Sequence, residues 1–366
     1  MPSTSTTVAE LLKRAGYTTG AFGKWGLGYI DTEGDPNHHG FDHFYGYNCQ
    51  ALAHNYFPDH LWSDRHRVDL PDNSGSATAN YAPELIHQKA LTFMEENKQK
   101  PFFLYYPTTL PHAELLVPEK EMAAFRGKFG PEKPYEGAKP GDTSYRQGPY
   151  SYQSEPHAAF AAMITILDQK VGELLKKLDD LGIADNTLVL FTSNNGPHLE
   201  GGADPDYFDS NGPLRGYKRD LYEGGIRVPL IVRWKGKIAP GRSVNEVAAA
   251  WDILPTFADV AGVSKPPDIQ GHSLLPMLLG KGKQLAHEYL YWEFHEGGGT
   301  KAVRKGRWKL VSRNVLDPTR TTFELYDIET DISEAHDLAS TRPKEVESLK
   351  KLMNNARIPV SDFPFE

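Results

Sequence analysis

Three predicted strand ends carry side chains that could hold an anion or move a proton. Lys24 lies between glycines after a short apolar run, and His112 follows another such run. Asn194 and Asn195 follow a third run, and Lys218 comes later in the same glycine-rich region. In an open α/β sheet, ligands bind beyond the carboxyl ends of the strands. We therefore expect these five side chains to contribute to one site.

The residue types at these strand ends suit an oxyanion bound beside a hard cation. A lysine supplies a point charge to sulfate or phosphate, and amide oxygens are acceptable ligands for Ca²⁺. A histidine serves as general acid or base near neutral pH. Each residue taken alone also has an ordinary structural explanation, because such glycine-rich turns are common in loops. Their shared position at strand ends favours the site.

The composition excludes several classes of protein. The 366 residues, 39% of them hydrophobic, allow one large domain or a large domain plus a small one. The net charge of −8 disfavours nucleic-acid binding, and no apolar run is long enough to span a membrane. The single cysteine, Cys49, excludes an intrachain disulfide and a Cys-rich zinc site. The first residues predict a capped helix and no export signal, so we expect the chain to begin inside folded structure.

Alternating helices and strands predict an α/β domain over residues 1–270, with a mixed, mostly parallel sheet between helices. Residues 36–62 hold five histidines and many aromatic residues without a helical or strand period. They are interpreted either as a loop that lines a pocket or as an aromatic-packed surface loop. Residues 127–155 are interpreted as an excursion over the surface. The predicted elements are helices 7–16, 83–98, 156–181 and 252–261 and strands 18–25, 101–106 (buried on both faces), 187–191 and 230–234.

A second pattern begins near residue 270. Strands follow one another with little helix between them, which predicts an antiparallel meander. Residues 271–366 are therefore interpreted as a small α+β subdomain with an antiparallel sheet. The predicted elements are strands 288–295, 300–304, 308–312 and 323–327 and a final helix 343–355.

Several segments of the chain carry the motifs of one known family. GYTTGAFGKWGLG resembles a G-Y-x-T-x-x-x-G-K-W-x-L-G signature, HHGFDHFYGYN an HGFDxFxG segment, and LPHAELLVP a P-H-x-P-type loop. GPLRGYKRDLYEGGIRVP is similar to a lysine and Y-E-G-G-x-R-x-P motif, and ELYDIETDISEAHDLA to an L-Y-D-L tail. LDQKVGELLKKLDDLGIADNTLVLFTSNNG is similar to a long helix followed by a metal-binding strand. These segments resemble the sulfatase family of the alkaline-phosphatase-like superfamily, from the first helix to near the C-terminus.

The resemblance implies a sulfuric ester hydrolase, arylsulfatase-like, with an alkaline-phosphatase-like fold. In that family a cysteine or serine in C/S-x-P-S/T-R becomes formylglycine, and Ca²⁺ and lysines hold the sulfate. Carried over by motif, Lys24 and Lys218 would bind sulfate and neutralise charge in the transition state. His112 would contact the ester oxygen as general acid. Asn194 and Asn195 would be metal ligands.

Three departures from the family pattern bear on activity. Asn194 stands where the family usually has aspartate, so Ca²⁺ affinity should fall with the lost ligand charge. Gly26 stands where many members have histidine, and His54 is the candidate substrate contact that could compensate. The strand with paired aspartates and the nucleophile motif are absent, and Cys49 lacks the required proline and arginine. We therefore expect an N-terminally truncated chain without the formylglycine nucleophile, inactive as written.

Two alternatives stay open, a non-catalytic relative that binds sulfated glycans and a phosphate or phosphonate ester hydrolase of the same superfamily. The expected partner is a small-molecule or glycan sulfate ester and no nucleic acid. The aromatic segment 36–62 suits either a sulfated carbohydrate or an aryl sulfate. The resemblance implies a periplasmic or secreted location.

Overall fold

The structure is a computed structural model that describes residues 1–147 and 149–360. Its strands are β1 Thr18–Lys24, β2 His43–Tyr47, β3 His60–Ser63, β4 His66–Asp69, β5 Phe102–Tyr105, β6 Val189–Thr192, β7 Leu230–Arg233, β8 Leu290–Phe294, β9 Thr300–Lys305, β10 Trp308–Arg313 and β11 Thr322–Asp327. Its α-helices are α1 Val8–Arg14, α2 Ala82–Asn97, α3 Glu119–Ala123, α4 Pro156–Asp180, α5 Glu223–Ile226, α6 Ile253–Ala261, α7 Leu275–Leu279 and α8 Pro343–Ala356. Among the residues that are described, no helix is both long enough and apolar enough to cross a bilayer.

The described residues group into two compact units. The domain boundary predicted at residue 270 stays a prediction. Unit 1 comprises Met1–Val189, Glu200–Ala203 and Arg233–Gln284, and unit 2 comprises Leu190–Leu199, Asp204–Val232 and the described part of Leu285–Glu366.

The sheet of unit 1 has the strand order β4-β3-β2-β1-β5. β1 lies between β2 and β5 and runs parallel to both, whereas β3 and β4 are antiparallel to their neighbours. The interior of β1 is buried, and Gly20 lets a helix approach it. A Cβ at that position would lie 2.9 Å from the ring of Phe93 in α2. The predicted mixed sheet with helices against it is confirmed.

Helices cover this sheet and a neighbouring core with regular apolar stripes. α2 buries Ile86, Ala90 and Phe93 in the same core as β1 and β2. α4 buries Met163 and Ile166 in an adjacent cluster. Both helices carry proline in their first turn, where the missing N–H is tolerated.

Several predictions about the strands of unit 1 are wrong. Segment 36–62 is more than a loop, because it contains β2 and β3. The run 101–106 is not buried on both faces: Phe102, Phe103 and Leu104 are half-buried and Tyr105 is 43% exposed. The reason is topological, since β5 lies at the edge of the sheet. A continuous apolar run does not distinguish an edge strand from a central one.

Unit 2 is built on the antiparallel sheet β11-β10-β9-β8. Each strand pairs with its neighbour in sequence, so the predicted meander is confirmed. α8 covers one face, where Leu349 and Met353 pack with Val303 and Leu310. Most of β6 and β7, which form a separate two-stranded sheet, also belong to this unit.

Candidate active site

The carboxyl ends of three parallel strands meet at one edge of the unit 1 sheet. Lys24 is the last residue of β1 and lies in register with Tyr47, the last residue of β2. The Lys24 N–H donates to the Pro107 carbonyl at 2.8 Å, directly beyond β5. Gly23 makes this approach possible, because a Cβ there would lie 2.2 Å from the same carbonyl oxygen. Lys24 is thus flanked by the chain segments that leave β2 and β5.

These two segments bring His54 and His112 into contact. His54 lies in the helical turn Leu52–His54 after β2, and His112 lies in the loop after β5. The two imidazole rings are stacked, with centroids 5.6 Å apart and planes inclined by 2°. Tyr56 supports the loop, because its hydroxyl lies 2.8 Å from the carbonyl oxygens of Thr109 and His112. Residues more than fifty positions apart in sequence therefore form one histidine pair.

The backbone determines which nitrogen of His112 carries a proton. Nδ1 lies 2.6 Å from the Ala113 carbonyl oxygen, which can only accept, so Nδ1 is the donor. Nε2 is then the nitrogen that takes up or releases a proton when the ring changes charge. This tautomer is the one that lets Nε2 act as a general acid or base.

Gly26 borders Lys24 where the family often has histidine. Its φ of +73° is a left-handed conformation that favours glycine. A Cβ at this position would lie 3.6 Å from Lys24 Cε and 3.6 Å from Gln50 Oε1. A larger residue here would therefore contact both side chains.

In unit 2, close backbone packing brings Asn195 and Lys218 onto neighbouring loops. The Gly196 N–H donates to the Gly225 carbonyl at 2.9 Å, and the Lys218 N–H donates to the Pro197 carbonyl at 2.8 Å. A Cβ on Gly196 would lie only 1.8 Å from the Gly224 oxygen. Glycine is required for this approach, which explains the glycines on both loops.

The amide side chains of unit 2 do not by themselves make a calcium site. Asn194 is exposed, and the half-buried Asn195 donates its Nδ2 to the Gly196 carbonyl at 2.8 Å. Ca²⁺ takes 6–8 oxygen ligands, several of them charged, whereas these residues offer two neutral oxygens. Within residues 1–147 and 149–360, no group of three or more His, Cys, Asp or Glu side chains is arranged to hold a metal. The predicted Ca²⁺ stays a prediction, and no chemical step below depends on it.

A buried ionic cluster supports the turn behind Lys218. Lys309 of β10 places its Nζ 2.9 Å from Glu223 Oε1 and 2.9 Å from Glu334 Oε1, and all three side chains are at most 3% exposed. The Glu223 N–H also donates to Glu334 Oε2 at 2.6 Å. Burial is the largest single effect and would raise the pKa of Glu223, but the charge and hydrogen bond of Lys309, together with Arg304 and Arg227, outweigh it and the pKa is lowered. The first turn of α5, and with it the glycine pair after Glu223, is thereby fixed on the sheet of unit 2.

A cleft of about 480 Å³ lies in unit 2, and its lining includes Tyr217 but not Lys218. Its size is in the range of small-ligand sites. Its walls are polar and aromatic rather than aliphatic. They are formed by Asp206, Asp209, Asn211, Gly212, Leu214, Arg215, Gly216, Tyr217, Asp220 and Tyr222.

The structure brings the predicted residues together within each unit. Lys24, His54 and His112 share one sheet edge in unit 1. Asn194, Asn195 and Lys218 lie on adjoining loops of unit 2. The roles predicted for them stay predictions. Sequence reasoning missed two further residues. Tyr150 lies in the supposed surface excursion, yet its ring is 5.2 Å from His54 and 6.3 Å from His112, and the buried Glu114 lies two positions after His112.

Comparison with known proteins places the chain in one family. The family model described as sulfatase matches residues 1–263, and a second, described as N-sulphoglucosamine sulphohydrolase, C-terminal, matches residues 216–358. The chain belongs to the sulfatase family. The resemblance inferred from the strand-end motifs is thereby confirmed, and sulfatases are enzymes.

Named sulfatases and a solved structure show the same relationship. The chain is 30% identical to N-acetylgalactosamine-6-sulfatase of Mus musculus over 323 residues, which cover 84% of the chain and 55% of that protein. It is 31% identical to arylsulfatase A of Homo sapiens over an alignment that covers 96% of the chain and 71% of that protein. The crystal structure of Ps i-CgsB has a TM-score of 0.75 and 27% identity and covers 96% of this chain and 75% of that one. The sulfatase chain spans about half the length of the first of these relatives. The similarity to the solved structure confirms the predicted fold class.

Proposed function

We propose that this chain acts in the hydrolysis of sulfuric esters of carbohydrates or aryl alcohols. One observation carries the proposal: a stacked histidine pair and a lysine lie together beyond the ends of three parallel strands. Lys24 supplies a positive charge for a sulfate group, and His112 supplies a proton from Nε2. Membership of the sulfatase family supports the choice of sulfate as the anion.

The proposed reaction breaks the bond between sulfur and the ester oxygen. Water adds across that bond overall, so the products are an alcohol and hydrogen sulfate. The departing oxygen gains negative charge as the bond breaks, and the protonated His112 donates its Nε2 proton to it. Lys24 would stabilise the charge on the remaining sulfate oxygens, an effect that is large when the donor is held in place beforehand. The family motif implies the same role for Lys218.

The 366 residues of the sequence do not supply the nucleophile of this reaction. The sequence contains no C/S-x-P-S/T-R motif, and the one cysteine lies in NCQALAH. We therefore propose that these 366 residues contribute sulfate binding and a proton donor to the hydrolysis and, by themselves, bind sulfate esters without releasing sulfate. This observation also favours a second candidate function, a sulfated-glycan-binding protein without catalysis.

The proposed location and metal follow from the same family membership. We propose a periplasmic or secreted protein, with Asn194 and Asn195 as two of the oxygen ligands of a Ca²⁺ ion. The ligand itself would be a small-molecule or glycan sulfate ester.

Titration calorimetry with phenyl sulfate tests the binding half of the proposal. We expect binding that Lys24→Ala weakens at least about tenfold, since a hydrogen bond to a charged group contributes about 1.5–3 kcal/mol. Lys100→Ala is the matched control, because this exposed lysine precedes β5 at the opposite edge of the sheet. Equal affinities of Lys24→Ala and the wild type would contradict the proposal.

Two further measurements separate the alternatives. Tighter binding of phenyl phosphate than of phenyl sulfate would favour a phosphate or phosphonate ester hydrolase. Sulfate release from phenyl sulfate, measured by ion chromatography, should stay at the uncatalysed level. Release above that level would show that the chain holds a nucleophile and would exclude the purely binding function.

A further inference from the structure

A fully buried carboxyl group lies behind the histidine pair. Glu114 is 1% exposed, and its Oε2 accepts hydrogen bonds from the Ser151 N–H at 3.1 Å and from the Ser151 hydroxyl. Its Oε1 has no hydrogen-bond partner among the residues that the structure describes. Burial raises the pKa of this carboxyl, although the Ser151 hydrogen bonds act in the opposite direction. A polar group in such a position is costly, so its hydrogen bonds to Ser151 must offset that cost.

Glu114 fixes the segment that carries Tyr150. Ser151 directly follows Tyr150, and a second link joins the same segments, because Gln153 Nε2 donates to the Leu115 carbonyl at 2.6 Å. The Tyr150 carbonyl is held as well, since it accepts from the Ala138 N–H at 3.0 Å. The segment 150–153 is therefore tied to the loop that carries His112.

The Tyr150 ring is confined from two sides. On one side it lies 5.2 Å from the His54 ring and 6.3 Å from the His112 ring. On the other side is Gly201, where a Cβ would lie 3.4 Å from Tyr150 Cγ and 2.6 Å from Ala113 Cβ. The φ of +64° at Gly201 also favours glycine. The rings of His54, His112 and Tyr150 thus lie together, and hydrogen bonds between their backbone segments hold the segments that carry them.

We propose that Tyr150 is a specificity residue that contacts the organic group of the sulfate ester, and that Glu114 is the residue that positions it through Ser151. This inference rests on the proposed function. Tyr150 brings no positive charge to the sulfate, so its contribution belongs to the alcohol side of the ester. Aryl rings and the apolar faces of sugars both pack against aromatic side chains. Glu114 touches neither sulfate nor alcohol in this scheme.

Calorimetry with two ligands separates the roles. Inorganic sulfate reports on the anion site alone, and phenyl sulfate reports on the anion site plus the organic group. We expect Tyr150→Ala to weaken the binding of phenyl sulfate about five- to tenfold, as an aromatic contact of roughly 1 kcal/mol implies. The affinity for inorganic sulfate should stay unchanged. Tyr150→Phe should bind both ligands as the wild type does.

The Glu114 variants test the positioning role. Glu114→Ala should lower the ratio of phenyl sulfate to sulfate affinity as Tyr150→Ala does. Glu114→Gln should keep that ratio at the wild-type value, because its amide oxygen still accepts from Ser151. A merely structural carboxyl would weaken both ligands together and leave the ratio unchanged. Tyr150→Ala keeps the inference testable if Glu114→Ala does not fold.

The possible failures are distinguishable. If the wild type binds neither phenyl sulfate nor sulfate, the proposed function fails and this inference fails with it. If the wild type prefers phenyl sulfate and Tyr150→Ala retains that preference, only the inference is overturned. An unchanged ratio in a folded Glu114→Ala protein would overturn the positioning role alone.

Discussion

Replacement of Lys309 by methionine should destabilise unit 2 strongly. Methionine keeps most of the length and the apolar stem of lysine but removes the ammonium group. Glu223 and Glu334 would then face each other inside the protein without the cation that lies 2.9 Å from each. Glu223 would keep two arginines near its Oε2, Arg227 at 3.6 Å and Arg304 at 3.7 Å, whereas Glu334 would lose the cation beside it.

The expected loss is about 3–5 kcal/mol of unfolding free energy near neutral pH, the magnitude measured when one partner of a buried ion pair is removed. Glu334→Gln should lose far less, about 1 kcal/mol or below. It removes one of the two negative charges, and the glutamine oxygen can still accept the Glu223 N–H. The charge balance of the cluster therefore predicts a large difference in unfolding free energy between Lys309→Met and Glu334→Gln, although the two side chains are in direct contact.

The loss in Lys309→Met should shrink as the pH falls. Burial raises the pKa of Glu334 above its ordinary 4.5 even with Lys309 present, and removing the cation raises it further. A carboxyl with a raised pKa binds a proton in the folded state that it does not bind in the unfolded state. Stability therefore rises as the pH falls towards 4.5, by about 1.4 kcal/mol for each pH unit in which the two states differ by one proton.

Urea denaturation at pH 7.5 and pH 5.0, followed by circular dichroism, measures both effects. Lys305→Met is the matched control, because this lysine is on the neighbouring strand, is 51% exposed and pairs with the exposed Glu288. It should change stability by no more than about 0.5 kcal/mol. A loss below about 1 kcal/mol in Lys309→Met at pH 7.5, or the same loss at both pH values, would refute the charge argument.

Three further predictions concern glycine packing and helix capping. Gly196→Ala should lower the unfolding free energy by about 1–3 kcal/mol and weaken phenyl sulfate in calorimetry, because its Cβ would lie 1.8 Å from the Gly224 oxygen. Gly172→Ala lies in the interior of α4 and has nothing within 4 Å of the added Cβ, so it should raise the unfolding free energy by about 1 kcal/mol. A lower unfolding free energy in this variant would contradict the packing argument. Thr7→Ala should lower the unfolding free energy by about 1 kcal/mol, because Thr7 and Glu10 form a reciprocal capping box at α1. Thr7→Ser should restore it in the same urea experiment.

The sequence predicted those elements whose local pattern agrees with their environment. α4 and the meander β8–β11 follow from their apolar periods and are found nearly at the expected bounds. β2 reads HFYGY, in which aromatic residues and a glycine give no alternation, so the strand was missed. Its burial depends on Gly46, where a Cβ would lie 1.9 Å from the Gly23 oxygen of the neighbouring strand. Such a contact between strands leaves no local signal.

The site residues divide in the same way. Lys24 and His112 were found because each follows an apolar run, and the end of a strand is a local property. Tyr150 and Glu114 depend on a contact between residues 37 positions apart. Nothing in the spacing of a glycine- and proline-rich segment indicates which of its tyrosines turns inward. A glutamate between apolar residues in LPHAELLVP was a possible signal. If such a segment is buried, its carboxyl group needs a partner, because carboxyl groups are rarely buried without one.

The glycines show why the strand ends can be built so closely. Gly46 contacts the backbone of Gly23, and Gly23 contacts the carbonyl of Pro107, so β2, β1 and the loop after β5 are packed backbone against backbone. Gly196 and Gly224 repeat this arrangement in unit 2. Contacts of this kind cannot relax by a change of side-chain rotamer, so they fix the direction in which the next residue leaves the strand. Lys24 follows one such contact directly, and Asn195 directly precedes another. The glycine-rich motifs therefore serve mainly to position, and the charged or amide neighbours carry the chemistry.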